Sequence, residues 1–187
     1  FTHLPGLVVA YPSSAEDAKG MLKSAIRSDD PVLFCESQGL YAARGPVPEG
    51  EYTVPLGKSA VVREGGDATI VAWGPAVPDA LKAAEQLAAE GIEADVIDLR
   101  TLVPLDMEPV LASVAKTGRC VVAAQAILSG SYVNEVVARV VNEAFDDLDA
   151  PVARIGAANG ISPQAEGLEA AFLPGADDIA NAVKGLI

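Results

Sequence analysis

DATIVAWGPAVPDALKAAEQLAAEGIEADVIDLRTL, residues 67–102, decides the fold. Its first eight residues, Asp67 to Gly74, hold a mostly apolar run, Ala68 to Trp73, closed by a glycine. That run is too uniformly apolar for a strand with one wet face, which predicts a strand buried on both sides. From Val77 to Gly91 the period changes: Leu81, Ala84, Leu87 and Ala88 share one face of a helix, and Gly91 suits the position after its last turn. Glu93 to Leu102 then returns to a strand. Strand, helix, strand in this order predicts a parallel pair joined by a right-handed crossover.

The same alternation continues in both directions. Downstream, Pro104 and Asp106 open a helix that ends at Lys116, Thr117 and Gly118, and RCVVAA (119–124) is a strand. SGSYVNEVVARVVNEAF (129–145) is a helix with Val133, Val136, Val137, Val140 and Val141 inward. APVARIG (150–156) is a strand and ADDIANAVKGLI (176–187) a closing helix. Upstream, Leu7 to Ala10 is a strand, followed by a helix over PSSAEDAKGMLKSAIRS (12–28). Ser13 or Ser14 caps that helix, Glu16 and Asp17 occupy its first turn, and Ala18, Met21, Leu22 and Ala25 share a face. DDPVLFCES (29–37) completes a βαβ unit, and the Pro- and Gly-rich GPVPEGEYTVPLG (45–57) connects it to the rest. The fold class expected is therefore α/β, a three-layer α/β/α arrangement around a mostly parallel sheet, preceded by a smaller α/β unit.

Composition narrows the function classes. Half of the 187 residues are hydrophobic and only 5% are aromatic, a balance carried by Ala, Val and Leu. A formal charge of −13 with no basic cluster argues against nucleic acid and anionic lipid as partners. No apolar run approaches the ~20 residues of a membrane span, and no basic segment followed by an apolar core marks a leader. Cys35 and Cys120 lie inside strand-like runs and read as small buried hydrophobes, consistent with a reducing cytoplasm.

Chemistry-bearing motifs are few. The chain has no GxGxxG, P-loop or GxSxG pattern and no His or Cys cluster at metal-ligand spacing. His3 is the single histidine. The end of the third strand of the larger part offers Gln125, Ser129, Ser131 and Tyr132, where α/β sheets present groups to ligands. Helix amides there could hold an anion, and a plain N-cap by Ser129 is the alternative. Asp29 and Asp30 before Pro31 read as an Asx-type turn or a cation site.

Longer strings carry a resemblance. FTHLPGLVVAYPSSAEDAKGMLKSAIRSDDPVLFCES (1–37), YTVPLGKSAVVREGGDATIVAWG (52–74), IDLRTLVPLD (97–106), KTGRCVV (116–122), LDAPVARI (148–155) and AFLPGADDIANAV (171–183) occur in order without gaps. Together they resemble the later half of the β subunit of thiamine-diphosphate-dependent 2-oxoacid dehydrogenases, the pyruvate and branched-chain E1 components. The resemblance implies a partial pyrimidine-binding domain over residues 1–44, a linker over 45–58 and a transketolase-type C-terminal domain over 59–187. It implies an oxidoreductase that decarboxylates a 2-oxoacid and passes the acyl group to lipoamide, using thiamine diphosphate with Mg2+. The glutamate that activates the cofactor falls before residue 1, and the α subunit supplies the diphosphate and Mg2+ site, so no cofactor-binding residue is assigned here.

His3 matches the histidine of the family segment F-x-H-x-P-G at the active-site mouth, which implies a catalytic proton-transfer role. Ala25, Ser28 and Asp30 match positions that hold a structural K+, mainly through carbonyl oxygens, with Ser28 standing where Asp is commoner. The implied partners are an E1 α subunit, a second β subunit, the lipoyl domain or E2 core, and a chain carrying the missing N-terminal half. The resemblance further implies that the isolated chain is inactive and self-associates. A transketolase or deoxyxylulose-phosphate-synthase-like transferase component, and a non-catalytic assembly domain, are the alternatives. One segment departs: where the family reads HEAHRTGG, residues 124–131 are AQAILSGS, all uncharged. The loop AANGISPQA (157–165) likewise lacks the family's proline-rich pattern.

Overall fold

The computed structural model describes residues 1–187. Its larger sheet has five strands: β3 (Ala60–Arg63), β4 (Ala68–Ala72), β5 (Ala94–Asp98), β7 (Cys120–Ile127) and β8 (Ala153–Ala157). Their spatial order is β3-β5-β4-β7-β8. All neighbours run parallel except β3, which lies antiparallel on β5. Between them come α2 (Ala76–Ala89), α3 (Glu108–Thr117) and α4 (Val133–Glu143), and α5 (Glu166–Phe172) and α6 (Ala176–Lys184) follow β8.

Period-2 geometry sorts the side chains of this sheet into two cores. Ala68, Ile70 and Ala72 of β4, Ala94 and Val96 of β5, and Val121 and Ala123 of β7 face α2 and α6. Val71, Ile97, Cys120 and Val122 face the opposite way, toward α3 and α4. That gives three layers, as expected. The α2–α6 side is rich in alanine, which lets those helices lie close to the strands.

A smaller sheet, β2-β1-β6, holds β1 (Val8–Ala10) parallel to β2 (Val32–Phe34) and antiparallel to β6 (Thr101–Val103). One face rests on α1 (Ala15–Ile26), through Ala10, Met21 and Val54. The other face contributes Val9 to the α3–α4 core. Ser14 caps α1 by accepting the Asp17 amide at 3.1 Å.

The structure corrects the sequence reading of several local elements. Residues 93–102 are not one strand: the chain turns at Arg100, φ 56°, and Thr101–Val103 crosses to the smaller sheet. β3 and α5 were not expected; β3 is an edge strand with Val61 and Val62 exposed, and α5 is short and exposed throughout most of its length. Leu22 is 41% exposed rather than inward with Met21. Val141 is likewise exposed. The helix after Pro104 begins only at Glu108, with the Asp106 carboxylate accepting the Glu108 amide. Residues 45–58 run across α1, with Tyr52 donating from its hydroxyl to the Glu16 carbonyl at 3.0 Å and Val54 buried beside Gly20.

Buried polar groups find partners between layers. Asp95 of β5 accepts from Ser113 Oγ at 2.5 Å, the Gly65 amide at 2.6 Å and Lys116 Nζ at 2.7 Å. Burial pushes its carboxyl up, and those three donors more than offset this and hold it below the ordinary value.

Candidate functional site

His3 is exposed on a turn that precedes β1, where the Leu4 amide donates to the Phe1 carbonyl at 3.1 Å. With Thr2 it forms one wall of a depression of about 570 Å³. The opposite wall comes from residues distant in sequence: Gly130, Ser131, Tyr132, Asn134 and Glu135, at the start of α4. The fold therefore brings the single histidine against the uncharged segment that follows β7.

Local chemistry fixes this wall. Gly130 at φ 70° takes the left-handed conformation in which the loop turns into α4. Tyr132, not Ser129, is the residue that precedes the helix, and α4 has no side-chain cap; Ser129 is exposed in the loop. The Tyr132 hydroxyl donates to the Leu102 carbonyl, and its ring stands edge-on to Trp73 at a centroid distance of 6.3 Å. Burial, and then the Glu135 charge, push the Tyr132 phenol up, so it stays a neutral donor. Asn134 Nδ2 donates to the Leu128 carbonyl at 2.7 Å, and its Oδ1 accepts from Arg154 at 2.7 Å. Ser131 Oγ is enclosed and has no hydrogen-bond partner. The depression so built offers one imidazole, one carboxylate and neutral hydroxyl and amide groups. No Lys or Arg lines it.

Gln125 goes elsewhere. It lines a crevice of about 560 Å³ at the carboxyl ends of β4 and β7, facing Pro78, Asp79 and Lys82 of α2 and Glu166 and Glu169 of α5. The strand order reverses between β4 and β7, the place where open α/β sheets expose a crevice. The four polar residues singled out after the third strand are thus divided: Ser131 and Tyr132 lie beside His3, Gln125 lies in the crevice, and Ser129 stands in the loop.

At the end of α1, the Ala25 carbonyl accepts amide donors from the following turn, including Ser28 N–H at 3.3 Å. Ser28 Oγ accepts the Asp30 amide at 3.1 Å, and Asp30 is exposed. No group of three or more His, Cys, Asp or Glu side chains is placed to hold a metal ion. Sequence reasoning missed Asn134 and Glu135 as site residues; their place in the first turn of a recognisable helix, just after Ser131, was the available signal.

The transketolase pyrimidine-binding domain matches residues 1–44, and the transketolase C-terminal domain matches residues 57–179. The chain is 46% identical over 184 residues to the β subunit of acetoin:2,6-dichlorophenolindophenol oxidoreductase of Cupriavidus necator, covering 98% of this chain and 54% of that protein. It is 48% identical over 183 residues to the pyruvate dehydrogenase E1 component subunit β of Leifsonia xyli, again covering 98% and 54%. A solved split-gene transketolase in an inactive β4 tetramer superposes with a TM-score of 0.77 at 30% identity, covering 99% of this chain and 58% of that one. The chain spans about half the length of the curated relatives it matches.

Proposed function

Because the chain belongs to the transketolase C-terminal domain family, we propose that it works as part of the β subunit of a thiamine-diphosphate-dependent E1 enzyme, one that cleaves a 2-oxoacid or a related acetoin-type ketone. The observation that carries this reading is identity of 42–48% along the whole chain to β subunits of both kinds, with His3 in a depression open to solvent. In such an enzyme the cofactor stabilises the carbanion left after carbon–carbon cleavage.

The residues around His3 do not fit that cofactor or its Mg2+. No cation lines the depression to meet a diphosphate, and the single carboxylate, Glu135, is exposed. The cofactor must be held by other polypeptide, an E1 α subunit together with the remainder of a β subunit. What this chain contributes in this reading is the exposed His3 imidazole, a side chain of the type that serves as a general acid or base. The Ser131 hydroxyl in the facing wall is enclosed and has no hydrogen-bond partner in the structure.

Further parts belong to the same reading. A second β subunit and a lipoyl domain or E2 core are the expected associates, and the place of action is the cytoplasm; no helix is long and apolar enough to cross a membrane. K+ is proposed at the carbonyls of Ala25 and Ser28 with Asp30, on the strength of the family match at this turn. Residues 1–44 and 59–187 are proposed as two domains joined by 45–58. The split-gene relative, whose β4 form is inactive, supports the view that this chain alone associates without activity.

The test is reconstitution. The chain alone, in calorimetry, is expected to show no thiamine diphosphate binding; micromolar affinity overturns the division of labour. In an assembly with an α subunit and the remaining β segment, His3→Ala is expected to impair acyl transfer to lipoamide more than decarboxylation read with an artificial electron acceptor. A positioned general acid contributes ~10² to 10⁴ in rate. Equal loss in both assays removes His3 from proton transfer.

A further inference from the structure

Where the smaller unit meets the larger sheet, two carboxylates are buried beside a partly buried guanidinium. Asp98 ends β5 and is fully buried. One of its carboxylate oxygens accepts the Arg100 amide at 2.9 Å, and the other accepts the Ser13 hydroxyl, just before α1. Asp17 in the first turn of α1 is 3% exposed and pairs with the Arg100 guanidinium at 2.8 Å. That pair is imperfect: Asp17 Oδ1 and Arg100 Nε each lack a well-directed hydrogen bond. The backbone at Arg100 is left-handed, and its carbonyl accepts the Tyr11 amide at 2.8 Å just beyond β1. Three of these connections, from Ser13 to Asp98, Asp17 to Arg100 and Tyr11 to Arg100, join residues 11–17 to residues 98–100.

Charge does not balance here. Two enclosed carboxylates face one guanidinium. The strands on either side of Asp98 bring only Ala60 and Ala72 opposite it, so Asp17 and Arg100 are its charged neighbours. We propose that this corner is a proton-operated catch between the N-terminal α/β unit and the larger domain, closed when Asp98 carries a proton and loosened when it ionises.

Desolvation of a carboxylate favours its neutral form, and the Asp17 charge acts in the same direction. Burial pushes the Asp98 carboxyl up to about 6, against the Ser13 and Arg100 hydrogen bonds that pull it down. When the catch opens, water reaches Asp98 and its carboxyl returns to the ordinary carboxylate range. The closed form thus binds the proton more tightly, and its advantage is lost as pH rises from the ordinary value through about 6. The range overlaps that of cellular acidification, so docking of α1 responds to pH without any histidine.

Hydrogen exchange of the full chain, corrected for intrinsic rates, tests this. Protection of the α1 amides is expected to fall about twentyfold between about pH 4.5 and 7.5 by linkage, while β4 and β7 amides change little. Asp98→Asn, which cannot ionise, should abolish that local dependence. Persistence of the same α1 profile in Asp98→Asn overturns the proposal. If the variant does not fold, ¹³C titration of the Asp98 carboxyl in the unaltered chain decides: a midpoint near 6 supports the catch, and one below about 4.5 removes it.

Discussion

The two sheets are built from similar residues and differ in how much they can do alone. In the larger one, β4 and β5 are buried along their whole length, and each face belongs to a separate extensive cluster. The smaller one owns a cluster of three buried residues, Ala10, Met21 and Val54, while α1 leaves Leu22 and Ile26 open to solvent. Its third strand, β6, is supplied by the larger part. Stability therefore need not be uniform: the N-terminal unit is expected to open at a lower free energy than the five-stranded sheet.

The strongest way to break this contrast is to remove equal bulk from both sides. Ile97→Ala should cost about 2–5 kcal/mol and lower the denaturant midpoint of the whole molecule. Met21→Ala, equally buried in the native fold, should cost about 2 kcal/mol and appear mainly as lost exchange protection in α1. Equal effects of the two changes on β4 and β7 amides would mean that the sheets unfold as one.

Gly20→Ala is next in size. A Cβ there would stand 2.5 Å from Val54 Cγ2 and 3.0 Å from the Val54 amide nitrogen, so residues 52–54 must move off α1. A loss of about 1–3 kcal/mol is expected from the clash, although alanine is the better helix former by about 1 kcal/mol. Faster proteolysis between residues 45 and 52 is the accompanying readout.

A smaller effect separates backbone from charge at the corner. Arg100→Gly and Arg100→Ala both lose the pair to Asp17, but only glycine accepts φ 56° without strain. The alanine variant should be less stable by about 1 kcal/mol in urea titrations. Smallest of all, thiol labelling sharpens the comparison without changing stability. Burial pushes the Cys120 thiol up to about 12, and Cys35, partly exposed beside β2, is raised by burial as well. Mass spectrometry should find one label, on Cys35, in the native protein, added faster as pH rises toward its thiolate range. Cys120 should react only on global unfolding.

Much of this architecture was legible because the strands of the larger sheet are short apolar runs and its helices have clear periodicity, as in Leu81, Ala84 and Leu87. What was missed has physical causes. Arg100 is the turning point of a strand pattern, DVIDLRTL, that contains no glycine or proline, so nothing local announces that the chain changes sheets. β3 is an edge strand whose exposed Val61 and Val62 carry no inward pattern. At the site, His3 and the segment after β7 could each be singled out from sequence, yet their meeting depends on how the two sheets are set against each other. The catch at Asp98 was invisible for the same reason: Ser13, Asp17 and Asp98 are ordinary capping and strand residues until the fold encloses them together.

β6 carries a consequence for dissection of the molecule. Its residues lie beyond the connection at 45–58, yet their ladder bonds run to β1, with Val9 opposite Val103 and Ala10 opposite Thr101. A nick in the connection would leave two fragments still zipped along that ladder, and they would co-migrate as one particle under native conditions. Expressing residues 59–187 by themselves would instead leave Leu102 and Val103 as a sticky unsatisfied border. In this protein the convenient place to cut the gene is not a seam in the folded object.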